Sequence, residues 1–399
     1  MGMLSNVKKK RVIDVFDFIT FLFIIALFVF ENEKYGSLFS IIQGIFIGYS
    51  VFEALKNRYI VYTFAYKWAW LFFFVAFILT CVFCESNIPT IVIILKNAIR
   101  CICVAYYASS RGRAEKMIVY LALGGVICSC FVFSRFIESS MVFSNIRYST
   151  NDRIGADIAG GNVNIVAMNL VFSFVSWLYL FSNNSEKKIK VASLFCLIVV
   201  FVATMLTGTR KALLCMTVVS FIYSLSFKSG KIRNFFLFLL VILLAYYLLL
   251  EIKPLYYLMG HKIDVFSGKN YYTMYSESDS TRLYLVREGL NLFFENMLTG
   301  VGYGNTPMYL GYYTHNNYVE MLAGGGIFGF ILYYSMYVYL FCKCPARSSD
   351  KTLLKFVFLM LVALAVLDFS QVTYLYGLPW VFLGLAAPCC DSISLENKF

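Results

Sequence analysis

The sequence is poor in charged residues and in histidine. Only 14% of its 399 residues are charged, and it contains 2 histidines and 6 prolines. Although it has 12 cysteines, no Cys-x-x-Cys pair and no group of histidines, cysteines or carboxylates has the spacing of metal ligands. We therefore predict neither a metal site nor a cofactor, and a catalytic histidine must be one of two.

Long apolar runs take the place of charge. Hydrophobic residues make up 60% of the chain, and the mean hydropathy is +0.73, well outside the range of soluble domains. A helix needs about 20 apolar residues to cross a bilayer, and about twelve stretches qualify. They lie near 12–30, 37–55, 66–84, 89–109, 116–134, 161–181, 189–207, 210–227, 234–251, 316–341, 351–369 and 372–388. We predict an all-α polytopic membrane protein with a single integral membrane domain at 1–399.

The net charge of +12 follows from the topology. If the N-terminus is cytoplasmic and the spans alternate, most of the 34 Lys and Arg residues lie in cytoplasmic segments, as the positive-inside rule requires. These segments include Lys8–Arg11 and the loops around Arg113, Lys188, Lys231 and Arg347. The pattern places both termini in the cytoplasm and explains the basic charge without a nucleic-acid partner.

Two long loops fall on the external side, at 135–160 and 252–315. The second is the largest segment outside the membrane, and we expect short helices in it. Within it, Leu283, Val286 and Leu290 recur at helical spacing. This stripe predicts a helix that lies on the membrane surface or on the bundle.

Two pairs of cations have unusual positions. Arg210 and Lys211 lie in a short external turn, where few cations are expected. Arg210 either reaches lipid headgroups or holds an anionic ligand. Lys96 and Arg100 share one helix face. Lys96 is deep enough to need a partner or a water-filled cavity, whereas Arg100 could snorkel. This pair either lines a cavity for an anionic headgroup or belongs to a structural ion pair.

His315 lies in a polar run, Thr314–Asn317, where a loop meets a membrane helix. Polar side chains there are costly unless they face protein, water or a ligand. The histidine is either a solvated helix cap or a group for proton transfer. Arg282, near the start of the helix in the external loop, can form an anion site with free backbone N–H groups. Arg210, Arg282 and His315 together would fit displacement of a phosphate leaving group by a hydroxyl, on a face that has no ATP.

Several segments resemble motifs of the O-antigen polymerase/O-antigen ligase superfamily. They are TGTRKALL at 207–214, DSTRL at 279–283, GVGYGN at 300–305, THNNY at 314–318 and GGIFG at 325–329. The resemblance covers about 181–341. Because no strand precedes the glycines of GVGYGN, they do not form a dinucleotide-binding fingerprint.

The resemblance implies metal-independent, inverting glycosyl transfer from an undecaprenyl-pyrophosphate-linked oligosaccharide, in the cytoplasmic membrane of a bacterium. It implies that His315 acts as base or positions the acceptor hydroxyl. It also implies that Arg210 and Arg282 hold the pyrophosphate and stabilise its departing charge. Further residues predicted to bind substrate are Arg153, Asn164, Lys211, Arg287, Tyr303, Asn305 and Asn316. For Asn162 and Asn164, at the mouth of the sixth span, capping of the helix is the first alternative and binding of sugar hydroxyls the second.

The resemblance favours a polymerase that joins lipid-linked repeat units into O-antigen, capsule or exopolysaccharide. One alternative is a ligase that moves finished glycan to a lipid core or another acceptor. Another is a flippase, which would favour internal symmetry and charges along the midplane; the sequence shows neither. The expected partners are the lipid-linked oligosaccharide, membrane lipids, a chain-length regulator and a flippase.

Overall fold

The computed structural model describes residues 14–31, 35–57, 63–84, 87–142, 162–225, 277–344 and 351–396, with the isolated positions 247 and 251. These residues form helices and no strand, which confirms the all-α prediction. The helices are α1 (Val15–Val29), α2 (Gly36–Asn57), α3 (Phe64–Cys81), α4 (Ile88–Tyr107), α5 (Arg111–Val142), α6 (Val163–Asn183), α7 (Lys187–Leu206), α8 (Arg210–Leu225), α9 (Glu277–Glu295), α10 (Thr306–Leu310), α11 (Asn317–Lys343), α12 (Lys351–Asp368) and α13 (Gly377–Glu396).

The helices match the apolar runs of the sequence. Every predicted span corresponds to a helix except 234–251, of which only positions 247 and 251 are described. Among the described residues, 7 helices are long and apolar enough to cross a membrane, and shorter apolar helices lie at Val15–Val29 and Gly377–Asp391. The architecture is that of a polytopic membrane protein.

The predicted loop at 135–160 begins later than expected. Helix α5 continues to Val142, so the first part of that segment is helical, and 143–160 lies outside the described residues. Arg135 Nη1 and Glu138 Oε2 lie 2.5 Å apart at i,i+3 spacing, a pair that favours helix over loop. In the other predicted loop, 252–315, α9 and α10 are the expected short helices, and 252–276 lies outside the described residues.

The centre of the bundle is formed by α4, α5, α6 and α13. Helix α6 packs against α5, α7 and α12, and α13 packs closely on α4. A Cβ at Gly384 of α13 would lie 2.4 Å from the Cys101 carbonyl oxygen, so glycine permits this close approach. Trp68 and Trp380 are buried in the aromatic core, with ring centroids 5.0 Å apart.

Contacts at both ends of the bundle agree with alternating spans. At one end, Arg113 Nη2 lies 3.0 Å from Asp14 Oδ2, and Lys116 pairs with the buried Asp17. At the other end, Asn87 donates to the Gly304 carbonyl over 2.9 Å. Each contact joins residues that the predicted topology places on the same side. The assignment of the first end to the cytoplasm stays a prediction.

The structure reverses the expected roles of Lys96 and Arg100. Arg100 is the buried residue: its Nη1 lies 2.7 Å from Glu31 Oε1, and its Nε and Nη2 donate to Gln43 Oε1. Lys96 is exposed. Because a buried guanidinium needs partners for its N–H groups, Arg100 belongs to a structural ion pair between α4 and the α1–α2 end of the bundle.

Candidate active site

Helix α11 is broken at Gly326, which has φ 59° and ψ −166°. A break in a membrane helix exposes backbone groups that must be paired within the protein. Here the loop segment 297–302 supplies the partners. The hydrogen bonds run from Val301 N to Ala323 O (2.9 Å), from Gly302 N to Gly324 O (2.8 Å) and from Ile327 N to Met297 O (2.8 Å). The segment that leads toward His315 is therefore fixed against α11.

The glycines of the two motifs make this close contact possible. A Cβ at Gly326 would lie 2.3 Å from the Leu298 carbonyl oxygen, and a Cβ at Gly300 would lie 2.5 Å from the Gly324 carbonyl carbon. Both residues have positive φ, which glycine adopts without strain. The close packing by these glycines joins a loop to a helix.

We expect Gly326→Ala to destabilise the protein by about 1–3 kcal/mol, because it combines a left-handed backbone with a clash against Leu298. The measurement is thermal stability of the detergent-purified protein by fluorescence-detected size exclusion. The control is Gly48→Ala in α2, where the added Cβ meets nothing within 4 Å. Equal melting temperatures for the two variants would contradict the proposed contact.

A buried carboxylate fixes the loop before His315. Glu320 of α11 is 2% exposed, and it accepts hydrogen bonds from the Thr306 hydroxyl and from the Thr314 backbone N–H (2.9 Å) and hydroxyl (2.9 Å). Sequence analysis missed this residue. The available signal was an acidic side chain within an apolar helix, which must find partners inside the protein.

His315 has a constrained conformation beside two tyrosines. Its φ is +59°, which is uncommon for a residue other than glycine and marks a position worth attention. Its ring stacks with Tyr312 at 5.3 Å and contacts Tyr313 at 4.2 Å between centroids. The helix cap is the next residue, since Asn316 Oδ1 accepts from Val319 N at 3.1 Å. The capping interpretation of His315 is therefore wrong.

Helix α9 packs on α11 through a stripe that differs from the predicted one. The buried residues are Leu285, Gly289, Leu292 and Phe293, whereas the predicted Val286 and Leu290 are half-buried and Leu283 is 67% exposed. A Cβ at Gly289 would lie 2.7 Å from the side chains of both Thr314 and Val319. The small residue allows the close approach of α9 to α11 on this face.

The orientation of α9 separates its two arginines. Arg282 continues the buried stripe one turn before Leu285 and is half-buried, whereas Arg287 is exposed on another face. Arg282 therefore faces the bundle, and we leave Arg287 out of the site.

Arg282 and Lys211 both act on His315. Burial, together with the positive charges of Arg282 and Lys211, lowers the pKa of His315 from 6.5 to about 4. Lys211 is held in place by its Nζ, which donates to the Ser370 carbonyl over 2.7 Å. Arg210, the first residue of α8, is half-buried beside it. The structure thus brings cations from two of the motifs to the histidine of a third.

Two predicted binding residues lie inside the protein. Tyr303 is fully buried and packs against Phe72 and Tyr374, with centroids 5.5 Å and 5.7 Å away. Asn305 is 1% exposed, and its Nδ2 donates to the Val301 carbonyl over 2.9 Å. Because Tyr303 packs against Gly325 and Gly329 of α11 and Asn305 bonds within its own loop, we assign both side chains to the support of the loop.

The other predicted residues are peripheral or not described. Asn162 caps α6, with its Oδ1 accepting from Asn164 N at 2.9 Å, so of the two asparagines at the helix mouth Asn162 is the cap and Asn164 is not. Asn164 is half-buried. Arg153 lies outside the described residues. Asn316, besides capping α11, donates from Nδ2 to the Phe369 carbonyl over 3.3 Å.

A second buried acid fixes the segment after α12. Asp368 is fully buried and accepts from Tyr334 (3.1 Å), Tyr337 (3.2 Å) and the Thr373 hydroxyl. Thr373 N in turn donates to Asn317 Oδ1 over 2.9 Å. These bonds hold the α12–α13 loop against the start of α11. In the part of the chain that the structure describes, no three His, Cys, Asp or Glu residues could hold a metal ion.

Comparison with known proteins agrees with the motifs. Residues 192–334 match the family model described as O-antigen ligase. This range contains Arg210, Lys211, Arg282 and His315. No curated protein matches the chain. The family match confirms the resemblance of this segment to the O-antigen polymerase/O-antigen ligase superfamily.

Proposed function

We propose that the protein polymerises lipid-linked oligosaccharide repeat units into a surface polysaccharide, with undecaprenyl pyrophosphate as leaving group. The observation that carries the proposal is the placement of Arg282 and Lys211, from two other motifs, beside His315. Two cations beside a neutral imidazole fit a reaction in which a hydroxyl loses a proton while a pyrophosphate gains charge.

The proposed step is one in-line displacement. The acceptor hydroxyl oxygen forms a bond to the anomeric carbon of the donor as the bond from that carbon to the pyrophosphate oxygen breaks. The electron pair of the broken bond stays on the pyrophosphate, beside Arg210, Arg282 and Lys211. The hydroxyl proton passes to the imidazole of His315. A single displacement inverts the anomeric carbon and requires no metal ion.

The low pKa of His315 keeps the imidazole neutral, as this step requires, but it also makes the imidazole a weak base. With a pKa of about 4, the imidazole is neutral at neutral pH and can accept a proton. The same value makes it a weak base in the empty site. A bound pyrophosphate offsets the charges of Arg282 and Lys211, and this raises the basicity of His315 when the donor is present.

A ligase is the second candidate, because the matched family model is described as O-antigen ligase. The two functions share the donor and differ in the acceptor. A polymerase transfers glycan to another lipid-linked glycan, and a ligase transfers it to a lipid core or another molecule.

The proposed location is a bacterial cytoplasmic membrane, with the site on the external face and both termini in the cytoplasm. A chain-length regulator and a flippase are the proposed partners.

We expect a cysteine at Lys188 to be protected from an impermeant thiol reagent in intact cells and a cysteine at Tyr309 to react. Tyr309 is 55% exposed in α10. A variant with the exposed native Cys130 and Cys342 replaced is the background. Labelling of position 188 alone would overturn the orientation.

The test of function is elongation by the purified protein. The lipid-linked repeat unit, extracted from cells of the source strain, is the substrate, and a chelator is present in one arm. We expect a ladder of longer lipid-linked glycans in both arms. Transfer only after lipid core is added would identify the ligase, and loss of activity with the chelator would exclude the metal-independent step.

A further inference from the structure

Gln371 is a buried amide without a partner. The residue is 5% exposed, and neither its side-chain oxygen nor its side-chain nitrogen has a hydrogen-bond partner among the described residues. Buried polar side chains are nearly always paired, because an unpaired one loses its hydration without compensation. Something other than packing is therefore required to explain a glutamine at this position.

The position of Gln371 connects it to the site. The two preceding residues are each bonded to a motif segment, since Ser370 O accepts from Lys211 and Phe369 O accepts from Asn316. The loop that carries Gln371 is thus held between the start of α8 and the residue after His315. In the turn before α8, the Thr209 hydroxyl is also buried and unpaired within the described part of the chain.

We infer that Gln371 binds a sugar hydroxyl of the lipid-linked oligosaccharide and so determines which sugar the enzyme accepts. The inference rests on the proposed function and extends it to a residue outside the matched segment 192–334. An amide offers both a donor and an acceptor, which matches a hydroxyl group, whereas a phosphate oxygen only accepts. The three cations of the site already serve the pyrophosphate.

The stability of a Gln371 variant distinguishes a substrate-binding role from a structural role. Replacement of Gln371 by methionine keeps the length of the side chain and removes two unpaired polar atoms, so the protein should be no less stable. Gln43 is the matched control, since it is also a buried amide but accepts from Arg100. Gln43→Met leaves that buried guanidinium short of a partner, and it should lower the melting temperature.

The experiment compares two ligands on the same proteins. One is undecaprenyl pyrophosphate without sugar, and the other is the lipid-linked repeat unit extracted from the source strain. For Gln371→Met we expect unchanged affinity for the sugar-free lipid. We expect a rise of about 10-fold or more in the KM for the repeat unit, as two hydrogen bonds are lost. Gln371→Ala serves as a second variant with the same expectation.

Wild-type KM in both Gln371 variants would overturn the inference, because the amide would then be satisfied by water alone. An equal loss of affinity for both ligands would also overturn it, since the residue would act on the phosphate or on the fold. If the wild type itself neither binds the sugar-free lipid nor elongates the repeat unit, the proposed function is wrong, and the inference falls with it.

Discussion

Arg282→Ala is expected to abolish polymer formation while leaving the protein folded and present at the wild-type level. The guanidinium faces the bundle beside His315, where it can form charge-assisted hydrogen bonds to a pyrophosphate. Loss of one such contact costs about 1.5–3 kcal/mol. Stabilisation of the leaving-group charge adds a factor of about 10²–10³ in turnover. Arg282→Lys should restore activity only in part, because lysine lacks the planar fork.

The chain offers a matched control on the same helix. Arg287 is exposed on another face of α9, so Arg287→Ala should give normal polymer. The measurement is the chain-length ladder from cells and from purified protein, with protein level and melting temperature determined alongside. We expect Arg210→Ala to behave like Arg282→Ala. A normal chain-length ladder in both Arg210→Ala and Arg282→Ala would show that these arginines do not bind the pyrophosphate.

The fold was largely predictable because membrane helices depend on local properties. A run of about 20 apolar residues suffices to indicate a span, and the described residues contain a helix for each such run except 234–251. The faces of the helices depend on partners elsewhere in the chain. The burial of Arg100 and the exposure of Lys96 follow from Glu31 and Gln43, which belong to other parts of the chain.

The candidate site was predictable at the level of motifs and less so at the level of side chains. The sequence placed Arg210, Arg282 and His315 on one side, and the structure brings Arg282 and Lys211, the neighbour of Arg210, to His315. Proximity in sequence was a poor guide for Tyr303 and Asn305, which are buried. The spacing of the glycines alone does not predict that Tyr303 and Asn305 fill the contact between the loop and the break in α11.

Other parts of the site depend on pairing between distant segments. Glu320 reaches back to Thr306 and Thr314, and Lys211 bonds to Ser370. No local sequence pattern predicts such contacts. A polar residue in an apolar run is the one usable signal, since it must be satisfied within the protein.

The left-handed backbone of His315 decides how its role must be tested. Alanine at φ +59° would add backbone strain to the loss of the imidazole. Asparagine and glycine accept this conformation more readily, so His315→Asn and His315→Gly isolate the chemistry. We expect both to lower turnover by about 10²–10⁴-fold. The KM for the donor should change little, since the cations hold the pyrophosphate.

The pH dependence of the wild type gives an independent measurement. The imidazole becomes protonated as the pH falls through its pKa, and a protonated ring cannot accept the hydroxyl proton. In the free enzyme this pKa is about 4, below the ordinary 6.5, so kcat/KM should hold through mildly acidic pH and decline toward pH 4. In the donor complex the pyrophosphate raises the pKa, and kcat should decline at a higher pH than kcat/KM. Wild-type turnover in the asparagine and glycine variants, with an unchanged acid limb, would assign the proton to another group.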